Sequence, residues 1–296
     1  MNEPQLPEGV GLTALFTAYA RAQESRRADR LFDDPQAAEF IAHALGLDRL
    51  TGSLPRLGPA REDGSSPLWN GLVAYFSSRT PFYDTYLAGQ AQAGCRQLVL
   101  LGAGLDSRAF RLRLPAGTIV YEVDTPGVLD FKENVLTGLG AESGAERRAV
   151  KADLREDWGS ALLAAGFDPR TPTAWLAEGL LMYLQPGEAD VFVDRIRELS
   201  APTSTLAGEY LNRRTRLADL ALADDGDRAI AEIFVSADRG GPGSRPPADW
   251  LAAHGWDGAG PDLVDVLTSA GRPVPELFDP RKPDPLRVRM FTATRR

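Results

Sequence analysis

Five short apolar segments alternate with longer, partly polar segments between residues 97 and 210, and this alternation constrains the fold more than any other feature of the sequence. The apolar segments are residues 97–102, 118–123, 148–152, 173–177 and 204–210. Because they lack polar alternation, they fit strands that are covered on both faces. The segments between them are long enough for crossover helices, for example TPGVLDFKENVLTGL and QPGEADVFVDRIRELS. The pattern therefore predicts an α/β fold with a doubly wound parallel sheet.

The regions on either side of this alternation predict mainly helices. Residues 10–44 predict two helices that the acidic, proline-containing stretch 33–35 divides, and residues 68–93 predict a third. The pattern beyond residue 211 is weaker, with one helical stretch to about Phe234, two short helices and a terminal strand. We expect a single domain with an N-terminal helical cap.

The charge balance and the residue composition disfavour several classes of function. With 41 acidic and 33 basic side chains and a formal net charge of −8, the surface repels nucleic acid and anionic lipid on average. No apolar run reaches the roughly 18 residues of a membrane span, and the polar start lacks the features of a signal peptide. One cysteine and two histidines do not suggest a zinc site. We expect a cytoplasmic protein with no nucleic-acid or membrane partner and no bound metal.

The first apolar segment ends in a glycine-containing turn, LVLLGAGLDSRAF, in which Gly102 and Gly104 follow the strand. In a doubly wound sheet this turn lies at the ligand-binding edge, where glycines let the backbone approach a ligand closely. The dinucleotide fingerprint requires a third glycine, but Ser107 stands at that position and the bulky Arg108 follows. The glycine pair alone is equally compatible with a simple tight turn.

An acidic residue, Asp124, ends the second apolar segment about 20 residues after Gly104. A carboxylate at this position can accept hydrogen bonds from both hydroxyls of a ribose. The turn and Asp124 together predict a ligand that contains a nucleoside. They leave open whether that ligand carries a pyrophosphate, as in an NAD(P)-dependent oxidoreductase, or a sulfonium amino acid.

Four sequence blocks are more specific than the glycine pair: LLGAGLDSRAFRL, YEVDTPGVLDFK, KADLRED and AWLAEGLLMYL. In this order and at these spacings they resemble the leucine carboxyl methyltransferase family, which includes bacterial S-adenosylmethionine-dependent O-methyltransferases of secondary metabolism. Upstream segments such as SSRTPFYD also resemble that family, so the resemblance covers most of residues 10–200. It implies a class I methyltransferase fold, which is a Rossmann-like, doubly wound, seven-stranded sheet with an N-terminal helical lid.

The same resemblance implies S-adenosylmethionine as the cofactor and divides the chain into three parts. Residues 1–93 would form the helical cap or lid, residues 94–210 the cofactor-binding core, and residues 211–296 the acceptor-pocket region with the final strands. The implied cofactor contacts at the strand ends are Gly102, Ala103 and Gly104 at the methionine part, Asp124 at the ribose, and Asp153 and Leu154 at the adenine.

Two further cofactor contacts are implied outside these turns. Arg79 would pair with the cofactor carboxylate, and Glu178 would lie near the cofactor amino group and the reacting centre. One lid arginine would close over the cofactor, chosen from Arg21, Arg26 and Arg27. Taken without the surrounding blocks, Arg79 could instead form a surface ion pair with Asp84, and Asp153 could simply cap a turn.

The acceptor is predicted from the chemistry of methyl transfer, in which catalysis comes mainly from positioning. A carboxylate, with a pKa of about 4, needs no general base, whereas a phenol, with a pKa of about 10, usually benefits from one. The shortage of histidines and the resemblance therefore favour esterification of a small-molecule carboxylate, with phenol or hydroxyl methylation as the alternative. Candidates for positioning the reactants are Glu178, Tyr183 and Tyr210. Candidates for orienting an acid are an arginine of the lid, or Arg213 or Arg214.

Two alternatives from other classes remain at this stage. An NAD(P)-dependent oxidoreductase would explain the turn and Asp124, but it requires a third glycine and a catalytic Tyr/Lys or His arrangement that the sequence does not show. A catalytically inactive partner protein would bind the cofactor without methylating an acceptor.

Overall fold

The computed structural model describes residues 10–47, 50 and 52–296. Within these residues, seven strands form one sheet in the order β3-β2-β1-β4-β5-β7-β6. The strands are β1 (Gln97–Leu101), β2 (Ile119–Asp124), β3 (Glu146–Lys151), β4 (Thr173–Ala177), β5 (Thr205–Leu211), β6 (Trp256–Ala259) and β7 (Val288–Arg295). Strands β1 to β5 are parallel, whereas β7 runs antiparallel to both β5 and β6. The predicted α/β fold with a seven-stranded sheet is confirmed.

Helices precede, connect and follow the strands. Those before the sheet are α1 (Val10–Ser25), α2 (Pro35–Ala44) and α3 (Pro67–Gln92). Those between the parallel strands are α4 (Arg108–Arg111), α5 (Pro126–Gly138), α6 (Trp158–Ala164) and α7 (Pro186–Glu198). Those in the C-terminal part are α8 (Asp225–Ala237), α9 (Pro247–Ala253) and α10 (Leu263–Ser269). None of the helices described here combines the length and the apolar composition that crossing a membrane requires.

Polar caps set the start of the helices in the N-terminal region. The Asp34 carboxylate accepts the N–H of Ala37 at 3.1 Å, and the Ser66 hydroxyl accepts the N–H of Trp69 at 3.0 Å. A proline follows each cap at the first helical position, where its missing N–H costs no hydrogen bond. The sequence therefore specifies locally where α2 and α3 begin.

The central strands divide the hydrophobic core into two layers. Strands β1, β4 and β5 are buried along their whole length. Successive side chains of a strand point to opposite faces, so Leu98 and Leu100 pack in the layer with the N-terminal helices, whereas Val99 and Leu101 pack in the layer with α6 and α7. Burial on both faces explains the continuous apolar runs in the sequence.

The C-terminal strands depart from the all-parallel sheet that the alternating pattern predicts. Strand β7 pairs antiparallel with β5 over seven residues, and β6, which the sequence pattern does not indicate, extends the sheet beyond β7. The middle of β6 requires glycine, since a Cβ on Gly258 would lie 2.3 Å from the carbonyl oxygen of Thr292. Helices α8 and α9 lie between β5 and β6, and α10 lies between β6 and β7, so an intervening helix does not by itself make the next strand parallel.

Helix α1 lies directly over the turn that follows β1. A Cβ placed on Gly104 would be 3.3 Å from the Cβ of Ala14 in this helix. Gly102 and Gly104 have φ values of 64° and 49°, which a residue with a side chain rarely adopts. The glycines therefore serve both the backbone turn and the close approach of the N-terminal helix.

Candidate active site

A cavity of about 560 Å³ opens at the carboxyl ends of the parallel strands, beneath α1 and α3. Ligands in doubly wound folds bind at this edge of the sheet. All but one of the ten residues predicted from the sequence line this cavity, namely Arg79, Gly102, Ala103, Gly104, Asp124, Asp153, Leu154, Glu178 and Tyr183. The structure therefore brings together residues that are up to about 100 positions apart, because parallel strands end at a common edge.

The glycine turn and Asp124 are joined by hydrogen bonds. The N–H of Gly104 donates to Oδ2 of Asp124 at 2.7 Å, and the N–H of Thr125 donates to Oδ1 at 2.7 Å. Burial raises the pKa of the Asp124 carboxyl, while these N–H donors oppose the shift. Because a carboxylate already occupies the Gly104 N–H, the turn is poorly suited to holding a pyrophosphate, which needs free N–H donors.

Arg79 extends from α3 into the base of the cavity, where it is buried between two carboxylates. Its Nε lies 2.8 Å from Oε1 of Glu178, and its Nη1 donates to Oε1 of Glu209 at 2.8 Å. The guanidinium also lies over the ring of Tyr75, with 4.6 Å between its central carbon and the ring centre. The alternative of a surface ion pair with Asp84 is wrong, because Arg79 is only 4% exposed and points into the cavity.

Glu209 in β5 is a central residue that the sequence analysis missed. It is fully buried and accepts hydrogen bonds from the hydroxyls of Tyr75 at 2.8 Å and Tyr83 at 2.5 Å, and from the N–H of Gly179 at 2.8 Å, in addition to Arg79. Burial raises the pKa of its carboxyl, and the charge of Arg79 opposes the shift. A carboxylate within an apolar strand requires such partners, and this requirement could have identified it.

Tyr210, which the sequence analysis placed at the acceptor, faces away from the cavity. It follows Glu209 in β5, so its side chain points to the opposite face of the sheet. There its ring packs 5.6 Å from that of Trp250, and its hydroxyl donates to the carbonyl oxygen of Arg245 at 2.5 Å. The expectation that Tyr210 positions the reactants is therefore wrong, because its side chain belongs to the core layer on the other face of the sheet.

Arg108 holds Glu178 from the side opposite Arg79. Its Nη1 donates to Oε2 of Glu178 at 2.6 Å, and its Nε donates to Oδ1 of Asp84 at 2.7 Å. Arg108 also pairs with Asp106, whose pKa falls to about 2 because the neighbouring positive charges outweigh the effect of burial. Arg108, the bulky residue that follows Ser107 in the glycine-containing segment, therefore supports the site.

Of the three candidate lid arginines, Arg21 is the one that reaches the cavity. Its Nε donates to Oδ2 of Asp34 at 2.7 Å, and its Nη2 donates to the carbonyl oxygen of Leu105 at 2.6 Å. Arg26 and Arg27 instead form partly exposed ion pairs on the surface. Arg21 thus ties α1 and the start of α2 to the turn after β1.

The remaining predicted residues lie at the side and roof of the cavity. Asp153 pairs with Arg155 at 2.5 Å, and this hydrogen bond lowers the pKa of the Asp153 carboxyl. Leu154 is in contact range of the glycine turn, 3.8 Å from where a Cβ on Gly102 would lie. Burial raises the pKa of Tyr183, and a hydrogen bond with the Thr13 side chain opposes the shift.

The two arginines proposed to orient an acid are engaged elsewhere. Arg213 pairs with Asp219 at 2.8 Å and Asp284 at 3.2 Å, and Arg214 donates to the carbonyl oxygen of Asp238 at 2.9 Å. A different arginine, Arg239, lines the cavity and was missed because it lies in a glycine-rich loop without a recognisable pattern.

Comparison with known proteins gives the family directly. The sequence profile of the leucine carboxyl methyltransferase family matches residues 14–197. A protein of Parafrankia sp. strain EAN1pec, provisionally named an S-adenosyl-L-methionine-dependent methyltransferase, is 45% identical over 267 residues, covering 90% of this chain and 83% of that protein. A protein of Frankia alni with the same provisional name is 44% identical over 299 residues, covering 100% of this chain and 98% of that protein.

Two crystal structures share the fold at low sequence identity. A DUF574 family protein from Streptomyces avermitilis superposes with a TM-score of 0.55 and 15% identity, covering 96% of this chain and 97% of that one. A protein from Thermobifida fusca, provisionally named a methyltransferase, superposes with a TM-score of 0.53 and 19% identity, covering 96% of this chain and 94% of that one. The resemblance in the sequence blocks is confirmed by the family profile, which spans more than half of the chain. The chain belongs to the leucine carboxyl methyltransferase family and is a methyltransferase.

Proposed function

We propose that this chain transfers the methyl group of S-adenosylmethionine to a carboxylate oxygen of a small-molecule acid, giving a methyl ester and S-adenosylhomocysteine. The donor supplies an electrophilic methyl group on a sulfonium. A carboxylate oxygen forms the new bond to the methyl carbon as the bond from that carbon to sulfur breaks. The sulfur keeps the electron pair of that bond, and no proton has to move.

The observation that carries the proposal is the pairing of Arg79 with Glu178 at the cavity. Arg79 and Glu178 both line the cavity, with Nε of Arg79 2.8 Å from Oε1 of Glu178. A guanidinium beside a carboxylate fits the two charged groups of an α-amino acid, as the methionine part of the donor requires. In this proposal Arg79 binds the donor carboxylate and Glu178 binds its ammonium.

The other end of the donor fits the polar groups at the ends of β2 and β3. Asp124 would accept hydrogen bonds from the ribose hydroxyls, since its described hydrogen bonds come only from its neighbours. Asp153 would accept from the adenine amino group, with Leu154 against the ring. The Gly104 N–H is taken by Asp124, which disfavours the oxidoreductase alternative.

The acceptor type follows from the groups that are present for proton transfer. No histidine lines the described part of the cavity, and both oxygens of Glu178 are already engaged by guanidinium groups. Tyr183 is not a useful base, because burial raises its pKa further. A carboxylate acceptor, ionised at neutral pH with a pKa of about 4, needs none of these groups as a base.

The proposal is tested by offering the purified protein a methyl-labelled donor with matched panels of carboxylic acids, phenols and alcohols. We expect label transfer to acids, with no transfer to the phenol and alcohol of the same skeleton. Transfer to phenols or alcohols but not acids would replace the acceptor assignment. Donor binding without transfer to any acceptor would instead favour an inactive partner protein.

A further inference from the structure

We infer that the acceptor is a carboxylic acid with an extended apolar body, and that Arg239 recognises its carboxylate. The inference rests on the proposed carboxyl methylation and adds to it the substrate class and a specificity residue. It comes from the half of the cavity that lies away from the ends of β1 to β3.

Most of the residues that line this half of the cavity are apolar. It is built by α3, by the segments that follow β4 and β5, by the end of α8 and by the chain before β7. Its apolar lining residues are Leu68, Leu72, Tyr75, Phe76, Met182 and Leu211, together with Leu220, Phe234, Leu277, Phe278 and Leu286. A polar or doubly charged acceptor would lose its hydration against these side chains without gaining hydrogen bonds, whereas an apolar chain or ring would be stabilised there.

The acidic groups around this apolar half are already satisfied within the protein. The Asp238 carboxylate accepts the N–H of Thr215 at 2.6 Å and the N–H of Gly240 at 2.9 Å. Glu209 accepts four hydrogen bonds, as described above. These carboxylates are therefore not available to bind a cationic acceptor, and they do not repel an anion at close range as strongly as free carboxylates would.

Arg239 differs from the other charged groups of the cavity. Its side chain is exposed and lines the cavity, and no hydrogen-bonded or ion-paired partner for its guanidinium lies among residues 10–47, 50 and 52–296. Its backbone is fixed, because its N–H donates to the carbonyl oxygen of Met182 at 2.8 Å. Two residues later, the N–H of Gly241 donates to the carbonyl oxygen of Leu184 at 2.9 Å.

These two backbone bonds attach the loop of Arg239 to the turn that follows Glu178 and β4. The backbone of Arg239 is therefore held beside the turn after β4, and its side chain lines the same cavity as Glu178 and the apolar residues. An acid with an apolar body fits both the guanidinium of Arg239 and the apolar lining. Its carboxylate would pair with Arg239, and its body would lie against the apolar side chains.

The inference predicts a dependence on chain length that is measured with straight-chain acids from butanoate to dodecanoate at saturating donor. Each added methylene should lower KM by about fourfold until the cavity is filled, which corresponds to the free energy of burying one methylene. Glutarate, with a second carboxylate in place of the apolar end, should be a poor acceptor. Leu220→Trp, which fills part of the cavity, should move the optimum to shorter acids.

The role of Arg239 is tested with Arg239→Gln, Arg239→Lys and the matched control Arg228→Gln. Arg228 is also an exposed arginine and lies in α8, away from the cavity lining. Arg239→Gln should raise KM for dodecanoate at least tenfold and weaken its calorimetric binding in the presence of S-adenosylhomocysteine by a similar factor. Arg239→Lys should show smaller changes in KM and in binding affinity than Arg239→Gln. Arg228→Gln should leave both quantities unchanged.

The two proposals fail in different ways. If acids are methylated but KM does not change with chain length, or if Arg239→Gln behaves like Arg228→Gln, the further inference is overturned and carboxyl methylation stands. If no acid is methylated while S-adenosylhomocysteine still binds, the proposed carboxyl methylation itself is overturned.

Discussion

Glu178 is held between two arginines: its Oε1 lies 2.8 Å from Nε of Arg79, and its Oε2 accepts a hydrogen bond from Nη1 of Arg108 at 2.6 Å. Arg79 comes from α3 and Arg108 from α4, so one carboxylate at the end of β4 connects the N-terminal helical region to the turn after β1. The orientation of Glu178 therefore depends on both arginines.

Replacing Arg108 should destabilise the fold as well as the site. Arg108→Gln would remove a cationic partner from the largely buried carboxylates of Asp106 and Glu178, and breaking a buried ion pair on one side costs about 3–5 kcal/mol. Urea unfolding should show this loss for Arg108→Gln and a change within about 0.5 kcal/mol for the exposed Arg113→Gln. Equal midpoints for the two variants would contradict the role given to Arg108.

Replacing Arg79 should weaken binding of only the amino-acid part of the donor. Arg79→Lys keeps a positive charge beside Glu178 and Glu209 but removes the planar group that can pair with a carboxylate. We expect calorimetry to show a loss of about 1.5–3 kcal/mol for S-adenosylhomocysteine. The affinity for adenosine, which lacks the amino-acid part, should stay the same. A parallel loss for both ligands would show that Arg79 acts through the fold.

Binding of S-adenosylhomocysteine should depend on pH through Asp124. Burial raises the pKa of this carboxyl. In the proposed site the ribose hydroxyls would donate to its ionised form. The affinity for S-adenosylhomocysteine should therefore be highest at neutral pH and should fall as the pH drops through the pKa of Asp124. That pKa lies above the value of about 3.9 of an exposed aspartate. Asp153, whose pKa is lowered by Arg155, should stay ionised over this range and add to the decrease only at a still lower pH.

The matched variants for this pH dependence are Asp124→Asn and Asp130→Asn. Asp124→Asn should lose about 1.5–3 kcal/mol of binding at neutral pH and should no longer show the acidic decrease. Asp130 is exposed and pairs with Lys151 on the surface, so its variant should bind like the original protein. An unchanged acidic decrease in Asp124→Asn would remove Asp124 from the ribose site.

Tyr210→Phe should leave kcat and KM unchanged, because the hydroxyl of Tyr210 points away from the cavity to the carbonyl oxygen of Arg245. Loss of this hydrogen bond should lower the free energy of unfolding by about 1 kcal/mol. A steady-state comparison with Tyr183→Phe, whose ring lines the cavity, distinguishes the two tyrosines. A large loss of kcat in Tyr210→Phe alone would contradict the placement of its side chain.

The sequence predicted β1 to β5 and the residues at their ends well, for a physical reason. Strands β1, β2, β4 and β5 are largely buried and appear as apolar runs, whereas the edge strand β3 is mostly exposed or half-buried. The carboxyl ends of all five strands meet at one edge. Asp124, Asp153 and Glu178 each follow such a run and all line the cavity. Their common location follows from the topology and not from details of side-chain packing.

The features that the sequence did not predict depend on contacts between distant segments. A strand buried on both faces has no polar alternation, so the pattern could not show that Glu209 points toward Arg79 and that Tyr210 points to the opposite side. Strand β6 is four residues long and contains a glycine that only the pairing with β7 explains. Arg239 is placed by backbone hydrogen bonds to the turn after β4, which no local pattern indicates.

We propose that the product of the reaction is a methyl ester. The most direct measurement is mass spectrometry of the best acid acceptor after reaction with a donor carrying a deuterated methyl group, with S-adenosylhomocysteine quantified in the same sample. We predict one labelled ester per S-adenosylhomocysteine formed, and alkali should hydrolyse that ester back to the unlabelled acid. A labelled product that resists alkali, or S-adenosylhomocysteine formed without a labelled acid, would contradict the claim.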